Sequence, residues 1–391
     1  MACLVWPQDL ALKGGTVLTV TKGTIENGTV VIRDGMIVGV GQDIPIPAGM
    51  RVIDVTGKYV MPGIIDSHSH IALTDINEAT DPVTPQIWMR EALEPSSDSM
   101  VKTMHGSANV IGGVNVTIKL KYGDRIENMI VKDTRQQIKM ALGENPKRLY
   151  GSKGRIPSTR MGNAFVMRNA FVKVKEYKEK WDAYEKQKAE GKKGLKPPEK
   201  DLKMETLKMV LEIDCHVYRA DEIVWIINFC KEWDIDLLQL SHCIDGYKVP
   251  DILADAGVCY GGWIDWWGFK EEAYDGCPYG FEIMHKAGVR IVINSDSADE
   301  CRYLYLNAAK VLKYNDIPEE EVLKMITLNP AYAVEMEHKA GSIEKGKDGD
   351  IAVFDKYPLD STSKCLMTII EGKVYFDYSK ESITAEGVGY E

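Results

Sequence analysis

Residues 61–70 read MPGIIDSHSH, and the run GIIDSHSH within them places an apolar segment directly before two histidines one residue apart. Read as a strand, the segment puts His68 and His70 on one face, because side chains of alternate residues point the same way. Two imidazoles on one face can hold one divalent ion. The pair therefore carries both a fold expectation and a chemical one.

Working outward, the middle of the chain alternates helical patterns with short apolar strand candidates. These are QQIKMALG (136–143), EIDCHVY (212–218), DLLQLSH (236–242), GVCYGG (257–262) and RIVINSD (290–296). Strands separated by helices predict βαβ units and a parallel sheet or barrel. Two of these strands end in histidine, at Cys215-His216 and Ser241-His242, and another ends in acid, at Asn294-Ser295-Asp296. The chain has only seven histidines, so four at strand ends point to a site rather than to core filling. In a barrel the carboxyl ends of the strands form the active site. Imidazole and carboxylate together suit zinc and similar first-row metals.

Both ends of the chain read as β structure. From Gly15 to Pro62 the runs TVLTV, TVVIRDGMIVGVG and MRVIDVTGKYVM are broken by turns at Glu26-Asn27-Gly28 and Asp34-Gly35, and Asn-Gly and Asp-Gly are strong hairpin signals. The far end repeats the pattern in GSIEKGKDGDIAVFD and CLMTIIEGKVYFD. The expected organisation is a small β-sandwich domain of residues 1–62 plus 340–391, with a (β/α) barrel of residues 63–339 between them. Residues 171–203 interrupt the barrel with a Glu/Lys-rich stretch, expected to be a solvated helix ended by Gly194 and the Pro197-Pro198 pair, or else a lid or oligomer contact.

Composition bounds the partners. The 391 residues are 45% hydrophobic and 27% charged, enough to bury a sizeable core. A net charge of -10 argues against nucleic acid and anionic membrane surfaces, which are bound by clustered Lys and Arg, and leaves a small-molecule substrate as the expected partner. No apolar run reaches the ~18–20 residues of a membrane helix, and MACLVWPQDLALKGG lacks the features of a signal peptide, so a cytoplasmic location is expected. The eight cysteines include no Cys-x-x-Cys pair; Cys230, Cys259 and Cys301 read as reduced core thiols.

These motifs together resemble the amidohydrolase superfamily. MPGIIDSHSH is similar to its first-strand motif, His216, His242 and Asp296 fall in the order of its strands 5, 6 and 8, and TLNPA follows the last barrel helix. Within the superfamily the chain looks most like the imidazolonepropionase-like branch, through HGSANVIGG, KMALGENPKRLYGSKGRIPSTRMGN, Tyr218-Arg219-Ala220-Asp221 and INSDSADECR. The resemblance implies an α/β fold with a TIM-like (β/α)8 barrel and one or two divalent ions, zinc first among them. The implied ligands are His68, His70, His216, His242 and Asp296, with either a carboxylated Lys139 or Glu144 from strand 4. Unmodified lysine is a cation and cannot ligate.

The chain departs from the family pattern in two places. Asp214 and Tyr218 stand where relatives carry further histidines beside the strand-5 ligand. The Val/Thr-rich strand expected before HGSAN is missing, since SMVKTM runs straight into His105, so the barrel is expected to be irregular near strand 2.

The implied activity is metal-assisted hydrolysis of an amide, cyclic amide or peptide-like C–N bond, dipeptidase-like reactions included. Asp296 would move the proton, and His242 would both ligate and help stabilise the oxyanion. Ring-amidine deamination is the alternative reaction, and a catalytically silent binding protein the alternative class. Expected substrate contacts are His105, Ser107 and Asn109 in the loop before Gly112-Gly113, Tyr218 and Arg219, and a wall of Trp263, Trp266 and Trp267. A homo-oligomer is expected.

Overall fold

The computed structural model describes residues 9–73, 75–93, 106–209, 212–297 and 300–380. His105 and the stretch near residue 103, where the family's strand reads as missing, lie outside them. In chain order the strands are β1 (Leu10–Leu18), β2 (Thr24–Arg33), β3 (Met36–Gly41), β4 (Arg51–Asp54), β5 (Tyr59–Pro62), β6 (Ile111–Val114) and β7 (Gln137–Ala141). They continue with β8 (Glu212–Val217), β9 (Asp236–His242), β10 (Cys259–Gly262), β11 (Arg290–Ile293), β12 (Ile351–Phe354), β13 (Cys365–Ile370) and β14 (Lys373–Asp377). The chain divides into two compact units, one of residues 1–65, 318–331 and 336–391, the other of residues 66–317 and 332–335.

In the first unit both chain ends join one eight-stranded sheet, ordered β14-β13-β12-β5-β1-β2-β3 with β4 also on β1. The seam between the two ends is the antiparallel pairing of β5 with β12, Val60 opposite Val353. Its core is aliphatic and β-branched, including Leu10, Leu12, Val30, Ile32, Val60, Ile351, Val353 and Ile369, as fits the buried face of a sheet. Asp34 and Gly35 form the β2–β3 turn, both at positive φ (51° and 81°), which a tight two-residue hairpin requires.

The Asn27-Gly28 turn is corrected. Asn27 takes φ 50°, but both residues lie inside β2, where the ladder gains one residue between the Gly15–Gly28 and Val17–Ile25 pairs. Asn and Gly serve a bulge as well as a hairpin, because each tolerates the left-handed region.

The second unit is built on a six-stranded sheet ordered β11-β10-β9-β8-β7-β6. Strands β7 to β11 are parallel, and helices join them: Arg160–Ala189 and Leu202–Met209, then Ala220–Trp233, Pro250–Ala256 and Gly280–Lys286. Every residue of β7 and β8 is buried, as expected of parallel strands covered on both faces.

All five middle strand candidates thus become strands, and among the described residues their ladders trace a six-stranded path rather than a closed eight-stranded ring. Residues 63–70 form no strand, with Ser69 alone a bridge residue, and β6 runs antiparallel to β7 at the sheet edge. Among the described residues before β6, Val83 bridges to Ile111 and Trp88 to Val114.

The excursion also starts earlier than expected. Its helix begins at Arg160, with the Thr159 hydroxyl accepting from the Gly162 amide at 3.0 Å. Val166, Met167, Ala170, Phe171, Val174 and Tyr177 bury one face at helical spacing, and only beyond Tyr177 is the helix mostly exposed. Among the described residues, no helix is long and apolar enough to cross a membrane.

Candidate metal centre

Register places the polar residues. One rung of the parallel sheet reads Lys139, Asp214, Gln239 and the next but one Ala141, His216, Ser241, Gly261. Because alternate residues share a face, Lys139, Asp214, His216, Gln239 and Ser241 line one side of the sheet toward its carboxyl end. Gly261 lets the wall close, since a Cβ there would stand 2.7 Å from Asn294 Nδ2 and 3.0 Å from the Gln239 amide.

His242 lies one residue past Ser241, so ideal alternation would turn it to the opposite face. The backbone leaves the strand conformation there: His242 has φ 77° and Cys243 φ 40°. Asp296, at φ 47°, ends the turn after β11 in the same way. Left-handed conformations at non-glycine residues cost energy and collect at functional sites.

The re-aimed residues meet the His68 segment. His68, His242 and Asp296 each offer a ligand atom, all within 4.8 Å of one another. Asp296 Oδ1 is 3.1 Å from His68 Nε2 and 2.9 Å from His70 Nε2, and Oδ2 is 4.0 Å from His242 Nε2. The segment is held without ladder bonds. Asp296 N donates to the His68 carbonyl at 2.9 Å, Ser67 Oγ donates to Gln239 Oε1 at 2.6 Å, and the buried Asp66 carboxylate accepts from Ser295 Oγ and from the amides of Ser295 and His68.

His216 joins from β8, its ring centroid 4.3 Å from that of His242, while Asn145 Nδ2 lies 3.4 Å from its Nε2. The Nδ1 atoms of His216 and His242 are buried and have no hydrogen-bond partner among the described residues.

The electrostatics favour metal ligation. Burial, with the Lys139 charge assisting, pushes His68 down to about 4, and burial holds His216 and His242 well below the usual histidine range. All three are therefore neutral at pH 7. Burial alone would raise the Asp296 carboxyl, but His242 and the contacts from His68 and His70 hold it well below the usual carboxylate range. Asp66 is pushed up to about 7 by burial, against its bond from Ser295. Neutral imidazoles converging on an anionic carboxylate, with buried ring nitrogens to spare, fit a first-row divalent ion.

The strand-4 candidates are arranged differently. Lys139 Nζ is paired with Asp214 Oδ1 at 2.7 Å, both side chains essentially inaccessible, and lies 3.3 Å from His68 Nδ1. Glu144 stands at the start of the helix Glu144–Gly151, 3.9 Å from both Lys270 Nζ and Arg148.

Of the expected substrate contacts, Tyr218 and Trp263 lie at the centre, each packed against the His242 ring, at 5.2 and 4.4 Å. Trp266 stacks on Trp263 at 4.6 Å, whereas Trp267 is 46% exposed. Ser107 Oγ accepts from Asn145 at 2.7 Å, which puts it at the margin. Asn109 is not brought to the centre: its amide nitrogen is used by the Glu78 and Asp81 carbonyls and Thr84. Arg219 turns to Asp221 at 2.9 Å, a pairing two residues along the chain that leaves its guanidinium exposed.

The sequence reading missed Lys270, whose ammonium sits 3.8 Å over the Tyr218 ring and 3.3 Å from Glu272, lowered by burial against the pull of Glu272. It also assigned no role to Gln239, Ser241 or Asp66. For Gln239 and Ser241 the available signal was a polar residue at alternate positions of an otherwise apolar strand.

A parallel sheet that gathers neutral histidines and a carboxylate beyond its strand ends gives an α/β protein with a candidate metal centre. The amidohydrolase family model matches residues 279–379. The crystal structure of an amidohydrolase from Thermotoga maritima MSB8 is 33% identical, with a TM-score of 0.87 over 94% of this chain and 100% of that one. The chain belongs to the amidohydrolase family. It is also 28% identical to the amidohydrolase tasK of Hapsidospora irregularis over 90% of its own length, and spans about 40% of that protein. With a 5-methylthioadenosine/S-adenosylhomocysteine deaminase of Symbiobacterium thermophilum it shares 23% identity over 95% of this chain and 94% of that one.

Proposed function

We propose that this protein is a metal-dependent hydrolase of C–N bonds acting on an amide, cyclic amide or peptide-like small molecule. One observation carries the reading: a single carboxylate, Asp296, stands against the Nε2 atoms of His68 and His70 beside His242, where three potential ligand atoms lie within 4.8 Å. His68, His70, His242 and Asp296, with His216 adjoining, would hold the ion; a second ion would draw on Glu144, or on Lys139 as its carbamate at the expense of the Lys139–Asp214 pair. A divalent ion held there would supply a water of pKa lowered toward ~7 and a Lewis acid for the scissile carbonyl.

The chain's own groups do the rest. Asp296, the carboxylate of the cluster and 24% exposed at its side chain, takes the proton from water and hands it to the leaving nitrogen. Trp263 and Trp266 present a flat apolar wall, which favours a planar or apolar group on the substrate. Lys270 places a cation beside Tyr218, within reach of an anionic substituent.

The second reading is deamination of a ring amidine, favoured by the same aromatic wall and by the likeness to the Symbiobacterium deaminase. Zinc-loaded protein assayed on N-acyl amino acids, dipeptides and cyclic amides, with ammonia measured on ring amidines, separates the two. Hydrolysis without ammonia supports the first; ammonia release alone supports the second. Stoichiometric metal with no turnover in either panel would count against both and favour a binding protein.

A further inference from the structure

Ser241 and Asp214 stand behind the metal-facing edge of His68. Ser241 Oγ is 2.7 Å from His68 Nδ1 and 2.9 and 3.0 Å from the two oxygens of Asp214. Asp214 is fixed from its other sides by Lys139 Nζ at 2.7 Å and Gln239 Nε2 at 3.0 Å, and all four side chains are buried. A serine hydroxyl has one proton and two lone pairs, and an ionised carboxylate only accepts. The Ser241 proton therefore goes to Asp214, and its oxygen is left to accept from His68 Nδ1–H.

We infer that Asp214 and Ser241 form a positioning relay for the centre: Asp214 orients the Ser241 hydroxyl, and Ser241 holds the Nδ1–H tautomer of His68 so that the Nε2 lone pair faces Asp296. The inference rests on the metal-centre reading above. Histidine ligands commonly donate their second N–H to an outer partner, and loss of that partner typically weakens metal binding about 10–100-fold. Here the outer partner is a serine backed by a carboxylate, so the relay spans β8, β9 and the His68 segment. It also gives the Lys139–Asp214 pair a purpose, since the ammonium holds the carboxylate in place.

Zinc chloride titration of the chelator-stripped full chain tests this. Ser241→Ala should bind zinc about 10–100-fold more weakly, and Ser241→Thr, which keeps the hydroxyl, should recover most of the loss. Histidine-15N-labelled, zinc-loaded wild-type protein should show His68 protonated at Nδ1 and liganded at Nε2, and Ser241→Ala should lose the downfield position of that Nδ1 proton. If the wild-type chain binds no zinc, the metal-centre reading itself fails. If it binds and Ser241→Ala matches it within about threefold, well short of the 10-fold loss expected, the relay is overturned. A wild-type spectrum with Nδ1 as the liganded atom overturns the relay even if the alanine variant does not fold.

Discussion

Removing one member of the Lys139–Asp214 pair should destabilise the protein strongly, and unequally according to which member is lost. The side chains are 1% and 0% exposed and 2.7 Å apart. Breaking a buried pair from one side typically costs about 3–5 kcal/mol, because an uncompensated charge remains. Without Lys139, Asp214 still accepts from Ser241 and Gln239, so Lys139→Met belongs near the lower end. Without Asp214, the Lys139 ammonium loses its carboxylate partner and faces only the Nδ1–H edge of His68 at 3.3 Å, which offers it no acceptor, so Asp214→Leu belongs near the upper end. At roughly 2–4 °C per kcal/mol for a unit of this size, the midpoint should fall on the order of 10 °C. Lys139→Met/Asp214→Leu removes both charges and should be less destabilised than the two single variants summed. Urea unfolding of chelator-stripped protein at pH 7 measures all three without metal linkage. Single variants within about 1 kcal/mol of wild type, or strict additivity in the double variant, would refute the reasoning.

Three further outcomes are expected. Asp296→Asn keeps the size and one oxygen of the carboxylate, so it should retain part of the metal while turnover falls ~10²–10⁴-fold; near-native rates on a screened substrate would move the base elsewhere. Glu212 is pushed up to about 8 by burial and by its neighbour Glu335; a carboxyl raised in the folded state binds its proton more tightly there, so its stability contribution is present below about 4.5 and lost as pH rises through about 8. Glu212→Gln should flatten that decline in denaturation curves between these limits, and an unchanged slope would place the pH dependence elsewhere. Trp263→Ala removes the ring stacked on His242 at 4.4 Å and should raise KM for planar substrates more than for small aliphatic ones, as steady-state kinetics on matched pairs will show.

Much of this was legible in the sequence where local and global signals agree. Strands β7 to β11 are apolar runs bounded by helices, and the terminal strands are bounded by Gly-containing turns such as Asp34-Gly35 and Glu371-Gly372, so both groups emerge from pattern alone. His68, His242 and Asp296 were visible as chemical residues at segment ends. What was hidden depends on interactions that no periodicity encodes. Residues 63–70 look like a strand, but the chain there is held by side chains and isolated amides, Ser67 on Gln239 and Asp296 on the His68 carbonyl. His242 reaches the cluster only because its φ is 77°, against strand alternation. The helix start at Arg160 was missed because its first turns are apolar and glycine-containing rather than Glu/Lys-rich, with the Thr159 cap as the one local signal. Asp214 was seen as a departure from the family pattern, and its partnership with Lys139 and Ser241 followed only from the register of β7, β8 and β9.

The most direct test of the central claim is the divalent metal content of the full chain. It should be measured by elemental analysis after purification without chelator, and again after stripping and zinc supplementation, alongside His68→Ala/His70→Ala. One or two ions per wild-type chain are expected, with at least one lost from the folded double variant. Wild-type protein without stoichiometric metal even after supplementation would contradict the claim.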